Sequence, residues 1–240
     1  MKKFLYLVLL SVFANAHFLT FIPSSDNVSN QNNSIITFEM MFIHPFEQTG
    51  MTMEKPVGIF LESKKNSLDL KKTEKFSHLA WDSSYKIKRP GVYKFFVEPK
   101  PYFEINEEKF ISHVPKVIIS AFGREDNWDE PLGLKYEIIP MTKPFGLYSG
   151  NLFQGKVLHN GNAASNVEVE VEFYNTLGLK APTDAHITQV VKTDDNGIFS
   201  FVMNNKGWWG FAALIEEGSK KYKGKEYPIE NGALLWIKAY

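Results

Sequence analysis

The chain has 240 residues, with 27 Lys+Arg against 27 Asp+Glu and no cysteine; 44% of it is apolar and 15% aromatic. That composition excludes a disordered or collagen-like chain, and zero net charge excludes the basic excess of a nucleic-acid binder. The missing thiols exclude disulfides, thiolate zinc sites, iron–sulfur clusters and a cysteine nucleophile.

Residues 1–16, MKKFLYLVLLSVFANA, carry Lys2 and Lys3, a largely apolar run from Phe4 to Phe13, and the small-residue pattern Ala14-Asn15-Ala16. These are the parts of a secretory signal peptide, and the run is too short for a bilayer span of roughly 20 residues. The expectation is an exported, periplasmic protein with no permanent membrane anchor after signal cleavage. Cleavage after Ala16 makes His17 the first residue, whose free amine and imidazole can chelate one ion as a pair. The amine, with a reference pKa of about 7.7–8.0, yields its proton readily to a metal.

Beyond the signal, period-2 alternation is common and long 3.6-period stretches are scarce. Ile35-Ile36, then Tyr93, Phe95 and Val97 after the Arg89-Pro90-Gly91 turn, then Val117-Ile118-Ile119 predict strands of an N-terminal β-domain over 17–143. Met141-Thr142-Lys143-Pro144-Phe145-Gly146 is a Pro/Gly-punctuated connector. After it, Val167, Val169, Val171 and Phe173 alternate with Glu168, Glu170 and Glu172, which predicts a half-buried strand with a charged outer face. Asn196-Gly197 signals a hairpin turn before Ile198-Phe199-Ser200-Phe201. Residues 144–240 thus resemble a prealbumin-like or carboxypeptidase-regulatory-like module. The fold expected is mainly β, two β-sandwich domains.

Of six histidines, His78, His159 and His186 lie in loop-like, polar or turn contexts and read as surface residues. His44, in Phe42-Ile43-His44-Pro45-Phe46-Glu47, and His113, in Phe110-Ile111-Ser112-His113-Val114-Pro115, have apolar neighbours that predict burial. A buried imidazole needs a partner for each nitrogen, and a metal is one such partner. The wide separations of His17, His44 and His113 suit ligands on different strands rather than a zinc-finger loop. The His17 amine and three imidazoles make four nitrogen donors, a set that suits Ni(2+), Co(2+) or Cu(2+) and suits Mg or Ca poorly.

Met51 and Met53 face the same way on a strand and read as core gap-fillers or as soft donors supporting the site. Glu98 reads as a ligand, as a partner that orients a histidine, or as a solvent-facing strand residue. Glu104, Glu107 and Glu108 read as a solvated turn. Trp208-Trp209 reads as sandwich core or, less simply, as a sugar platform. With no G-x-S-x-G elbow, P-loop or H-E-x-x-H motif, an enzyme is not expected.

Several stretches go beyond generic strand patterns. They are A-H-F-L-T-F-I-P-S at 16–24, F-I-H-P-F-E at 42–47, M-T-M-E-K-P at 51–56, Y-K-I-K-R-P-G-V-Y-K-F-F-V-E-P-K-P-Y at 85–102 and W-D-E-P-L-G-L-K at 128–135. To these add P-F-G-L-Y-S-G-N-L-F-Q-G at 144–155, A-P-T-D at 181–184, Q-V-V-K-T-D at 189–194 and G-W-W-G-F-A-A-L at 207–214. Together they resemble the periplasmic NikK-type component of nickel/cobalt energy-coupling-factor (ECF) transport systems. The resemblance implies a soluble nickel-handling protein that works with an ECF-type membrane transporter subunit. It also places the family's histidines on His17, His44 and His113. Val114-Pro115 departs from the aromatic-Thr pair expected there, and the proline removes a backbone donor beside His113.

The function expected is capture of nickel, or cobalt, and its transfer to an inner-membrane uptake transporter. The alternative is a histidine-brace copper protein, a copper carrier or oxidoreductase, built on the terminal histidine and a second imidazole.

Overall fold

A computed structural model describes residues 17–30 and 34–240; the expected signal peptide, 1–16, lies outside the described residues. The strands in chain order begin with β1 (Phe18–Pro23), β2 (Asn27–Val28), β3 (Ile35–His44), β4 (Thr49–Met51), β5 (Gly58–Leu61), β6 (Ser67–Leu68) and β7 (Lys71–Lys75). There follow β8 (His78–Lys86), β9 (Gly91–Glu98), β10 (Tyr102–Glu104), β11 (Lys109–Ala121), β12 (Tyr136–Pro140), β13 (Leu152–His159) and β14 (Asn162–Ala163). The last are β15 (Glu168–Phe173), β16 (Gln189–Lys192), β17 (Ile198–Val202), β18 (Gly207–Tyr222) and β19 (Lys225–Ala239), and a 3-10 turn lies at Asp184–His186.

The mainly β, sandwich-type architecture read from the alternation is the one observed. A five-stranded sheet runs β1-β3-β8-β7 with β4 beside β3, and a four-stranded sheet runs β12-β13-β14 with β17 beside β13. A ten-stranded sheet, in the order β16-β15-β18-β19-β11-β9-β5-β6 with β10 and β2 beside β11, lies between two apolar cores. One core packs Phe18, Phe21 and Phe38 against Phe95, Ile119 and Trp236. The other packs Phe153 and Phe199 against Val171, Phe211, Leu235 and Ile237.

β18 and β19 serve both cores in alternation: Ala212, Leu234 and Trp236 face the first, Phe211, Ala213, Leu235 and Ile237 the second. A strand covered on both faces reads as a continuous apolar run, which explains Ala233-Leu234-Leu235-Trp236-Ile237. β11 runs parallel to β19 from Phe110↔Ile229 to Lys116↔Leu235. β12 pairs with β13, from Tyr136↔His159 to Pro140↔Gly155, across the connector at 141–146. The segments 17–143 and 144–240 therefore contribute strands to shared sheets.

The charged face expected on β15 is not a solvent face throughout. Val169 and Val171 enter the second core, and the other side of the strand meets the first layer, so Glu172 is fully buried. The alternation is real, but the strand lies in a middle sheet and has no outer side at that end.

Candidate metal centre

β1 lies antiparallel to β3 with Phe18 opposite Ile43, which sets His17 beside His44 across the ladder. Their ring centroids are 4.4 Å apart. Phe42 stacks on His17 at 5.7 Å and meets the edge of His113 at 6.3 Å. Trp236 Nε1 donates to the Leu19 carbonyl at 3.2 Å and ties β1 to β19. The turn after His44 is held from the β15 side: Phe46 N–H donates to Glu172 Oε2 at 3.3 Å, and Asn175 Nδ2 donates to the Phe46 carbonyl at 3.0 Å. His113 stands on β11, opposite Gly232 of β19. Two strands of one sheet and one of another thus gather the three histidines around Phe42.

Carboxylates surround them. Glu104 Oε2 lies 3.8 Å from His17 Nε2, Glu107 Oε1 lies 3.8 Å from His17 Nδ1, and Glu230 Oε1 lies 3.6 Å from His113 Nε2. All three distances exceed a hydrogen bond. Lys109 Nζ bridges Glu107 at 2.5 Å and Glu230 at 2.6 Å. His17 Nδ1 and both ring nitrogens of His113 are buried without a hydrogen-bond partner. Buried polar atoms are seldom left so, and a metal ion is one partner that satisfies an imidazole lone pair.

Burial, followed by the nearby His44 and His113 rings, pushes His17 down to about 3, so its imidazole is neutral at pH 7. Burial alone would raise Glu230, but His113 and Lys109 outweigh it and hold the carboxyl at about 2. Glu170 is driven the other way, to about 8, by burial and then by Glu230 and Glu172. A neutral His17 imidazole and an ionised Glu230 carboxylate in one histidine cluster make a donor-rich, cation-attracting site. Among the described residues, no three His, Asp or Glu side chains already close on a common point as a metal cage. In the unprocessed chain the His17 nitrogen is a peptide amide, so the amine–imidazole chelate exists only once the chain is cut after Ala16.

The supporting residues divide. Met53 lines a cavity of about 30 Å³ with Leu19, Phe42, Tyr102, Ile111 and His113, space for one water or ion. Met51 lies opposite Phe42 in the β3–β4 ladder and packs against the first core. Glu98 ends β9 and pairs with Lys64 at 2.5 Å, not with a histidine. His159 pairs with Glu217 at 2.8 Å, and His186 bonds Thr183 at 2.9 Å. Trp208 is half-buried against the first core and Trp209 is buried in the second.

Sequence reasoning missed four carboxylates. Glu104 and Glu107 looked like a solvated turn, and the aromatic Tyr102-Phe103 beside Glu104 was the available signal that it turns inward. Glu170 was read as an outer-face residue. Glu230 carried no local signal: the parallel register of β11 and β19 brings it to His113.

No curated protein matches the chain. Among solved structures it is similar to the D0-D1 domain of Intimin, at 14% identity over 92% of this chain and 97% of that one, with a TM-score of 0.26. It is also similar to the Yersinia pseudotuberculosis adhesin InvE, at 12% identity over 89% of this chain and 58% of that one, TM-score 0.25. A third is BcpA, the major pilin subunit of Bacillus cereus, at 8% identity over 93% and 71%, TM-score 0.21. The family model described as Domain of unknown function (DUF4198) matches residues 14–217, from the cleavage pattern through most of β18 and across all three clustered histidines, and the chain belongs to that family.

Proposed function

We propose that the mature protein captures a transition-metal ion, Ni(2+) or Co(2+), through the His17 amine and imidazole, His44 and His113. It then passes the ion to an ECF-type uptake transporter in the inner membrane. The observation that carries this reading is the pair of unpartnered nitrogens on buried His113, beside a His17 imidazole that is already neutral. The resemblance to NikK-type components supplies the transport partner. Capture for transfer calls for binding rather than turnover, and the protein is read as a non-enzyme. The ligands must shed protons to bind, so affinity falls as pH falls.

The test is intact mass of the exported protein with nickel titration by calorimetry. A mass beginning at His17 and one nickel per chain, lost in His44→Ala and His113→Ala, is the expected result. A mass beginning elsewhere, or no nickel binding by a chain that begins at His17, overturns it.

The closeness of His17 and His44 favours a second reading, a copper histidine brace. The packing of Trp208 and Trp209 into cores counts against a polysaccharide-facing oxidase. Hydrogen peroxide formation by the copper-loaded protein with a reductant separates the two, and none is expected from a carrier.

A further inference from the structure

β18 and β19 pair on past the end of the β11 ladder. β19 leaves β11 at Ile229, while the hairpin ladder extends to Tyr222↔Lys225. Lys223 at φ 48° and Gly224 at φ 85° make the tight turn. The turn between β10 and β11 is stapled beside this arm. Phe103 stacks on Tyr222 at 4.3 Å and meets Tyr227 at 4.7 Å, and Lys225 Nζ lies 3.4 Å from Glu108 Oε1.

One end of the molecule therefore presents a defined set of groups. Lys220, Lys221, Lys223 and Lys225 are exposed on the arm. Three of them lie over aromatic rings: Lys220 on Phe110 at 4.9 Å, Lys223 on Tyr222 at 5.1 Å and Lys225 on Tyr227 at 4.7 Å. Ile105, at the tip of the neighbouring turn, is 71% exposed, more than any other large apolar side chain among the described residues. Glu107, Glu108 and Glu226 are the exposed carboxylates of this end; Glu107 is paired with Lys109, and the four arm lysines leave a positive surplus over the other two, although the chain as a whole is neutral.

We propose that this end docks on the surface of a bilayer containing anionic phospholipid. Ile105 enters the boundary between headgroups and acyl chains. Phe103, Tyr222 and Tyr227 lie at headgroup depth, where amphipathic rings are favoured. The lysines lay their stems along the rings and reach headgroup phosphates. A protein pocket would select a fixed donor geometry, whereas ammoniums on long stems around one protruding apolar side chain suit a fluid layer of headgroups. The inference does not depend on metal capture. It has a bearing on it, because Glu104 and Glu107 bound the same turn and lie against His17, so docking turns the histidine cluster toward the bilayer.

The test is flotation of the chain beginning at His17 with vesicles of phosphatidylglycerol and phosphatidylcholine, against phosphatidylcholine alone. Binding to the anionic vesicles that weakens as salt screens the charges is expected. Replacing any one arm lysine by Gln should lower partitioning about fivefold, and replacing all four should abolish it. Ile105→Ser should weaken it while leaving the circular dichroism spectrum unchanged. Lys71→Gln with Lys72→Gln, exposed on β7, should have no effect. Equal binding to both vesicle types, no binding to the anionic ones, or binding untouched by the four-lysine variant overturns the proposal. So does capture by an acidic protein surface without any vesicle binding.

Discussion

Gly232 on β19 stands directly opposite His113 on β11, so close that an added Cβ would lie 2.4 Å from His113 Cδ2 and 2.9 Å from its Nε2. The missing side chain is the space the imidazole occupies. Gly232→Ala must therefore displace the ring or the strand. The expected outcome is a loss of about 1–3 kcal/mol in stability by denaturant unfolding. Nickel affinity by calorimetry should fall at least about tenfold, the scale for disturbing a ligand's support. Unchanged affinity would show that His113 is not a ligand.

Adding one glycine ahead of His17 in the mature chain replaces the free amine by an amide and leaves every side chain in place. Nickel binding should weaken sharply, whereas a neighbouring conservative change, Phe18→Leu, should alter stability and leave the amine chelate intact. Equal nickel affinity with and without the added residue would remove the amine from the donor set.

Two buried groups pull the pH dependence of stability in opposite directions. His17 is lowered from 6.5 to about 3, so its contribution is complete above pH 6.5 and is lost as pH falls toward 3. Glu172 is raised from 4.5 to about 7, first by burial; its contribution is complete below pH 4.5 and is lost as pH rises through 7. Denaturant unfolding of Glu172→Gln should therefore lack the loss between pH 4.5 and 7, a difference of about 3 kcal/mol. The amide can still accept from Phe46 N–H, which keeps the turn after His44 in place. A wild-type and variant pair with parallel pH profiles would show that Glu172 titrates as it does in water.

Lys116 and Glu137 form a buried ion pair at 2.6 Å, with side chains 2% and 1% exposed. Glu137 also accepts from the backbone N–H groups of Leu132, Gly133 and Leu134, at 2.9 to 3.3 Å. Removing one partner leaves the other charge unpaired, at a cost of about 3–5 kcal/mol. Glu137→Leu should be worse than Lys116→Met, because it also strips three backbone donors of their acceptor. Thermal unfolding of the two variants ranks them, and the reverse order would mean that the loop donors find water instead.

The strands were legible because alternation and turn chemistry are local. Val167 to Phe173 and the Asn196-Gly197 turn needed only their own neighbours to be read. The layer order was not. Glu172 and Val171 have the same pattern in a two-layer sandwich and in the middle sheet of three layers, and only the tertiary arrangement decides that the glutamate side is covered. The candidate site was legible only in part. His44 and His113 advertised burial through their apolar neighbours; His113 is buried and His44 half-buried, with His44 beside His17 and His113 reaching the cluster through Phe42. Glu98 carried the same kind of signal and sits with Lys64 instead. Glu230 reaches His113 through a parallel ladder between distant segments, a relation that no local window contains.

That parallel ladder also sets an order of events in synthesis. β11 is finished long before β19 is made, and until then the edge where β19 belongs stays open. Leu234 and Trp236 are absent from the first core over the same interval, so the early part of the chain cannot complete its packing by itself. An exposed strand edge and a half-filled core are what holdase chaperones bind and what nascent chains aggregate through. The price of stitching the two halves into one sheet is a nascent chain that waits, unfinished, for its last long strand.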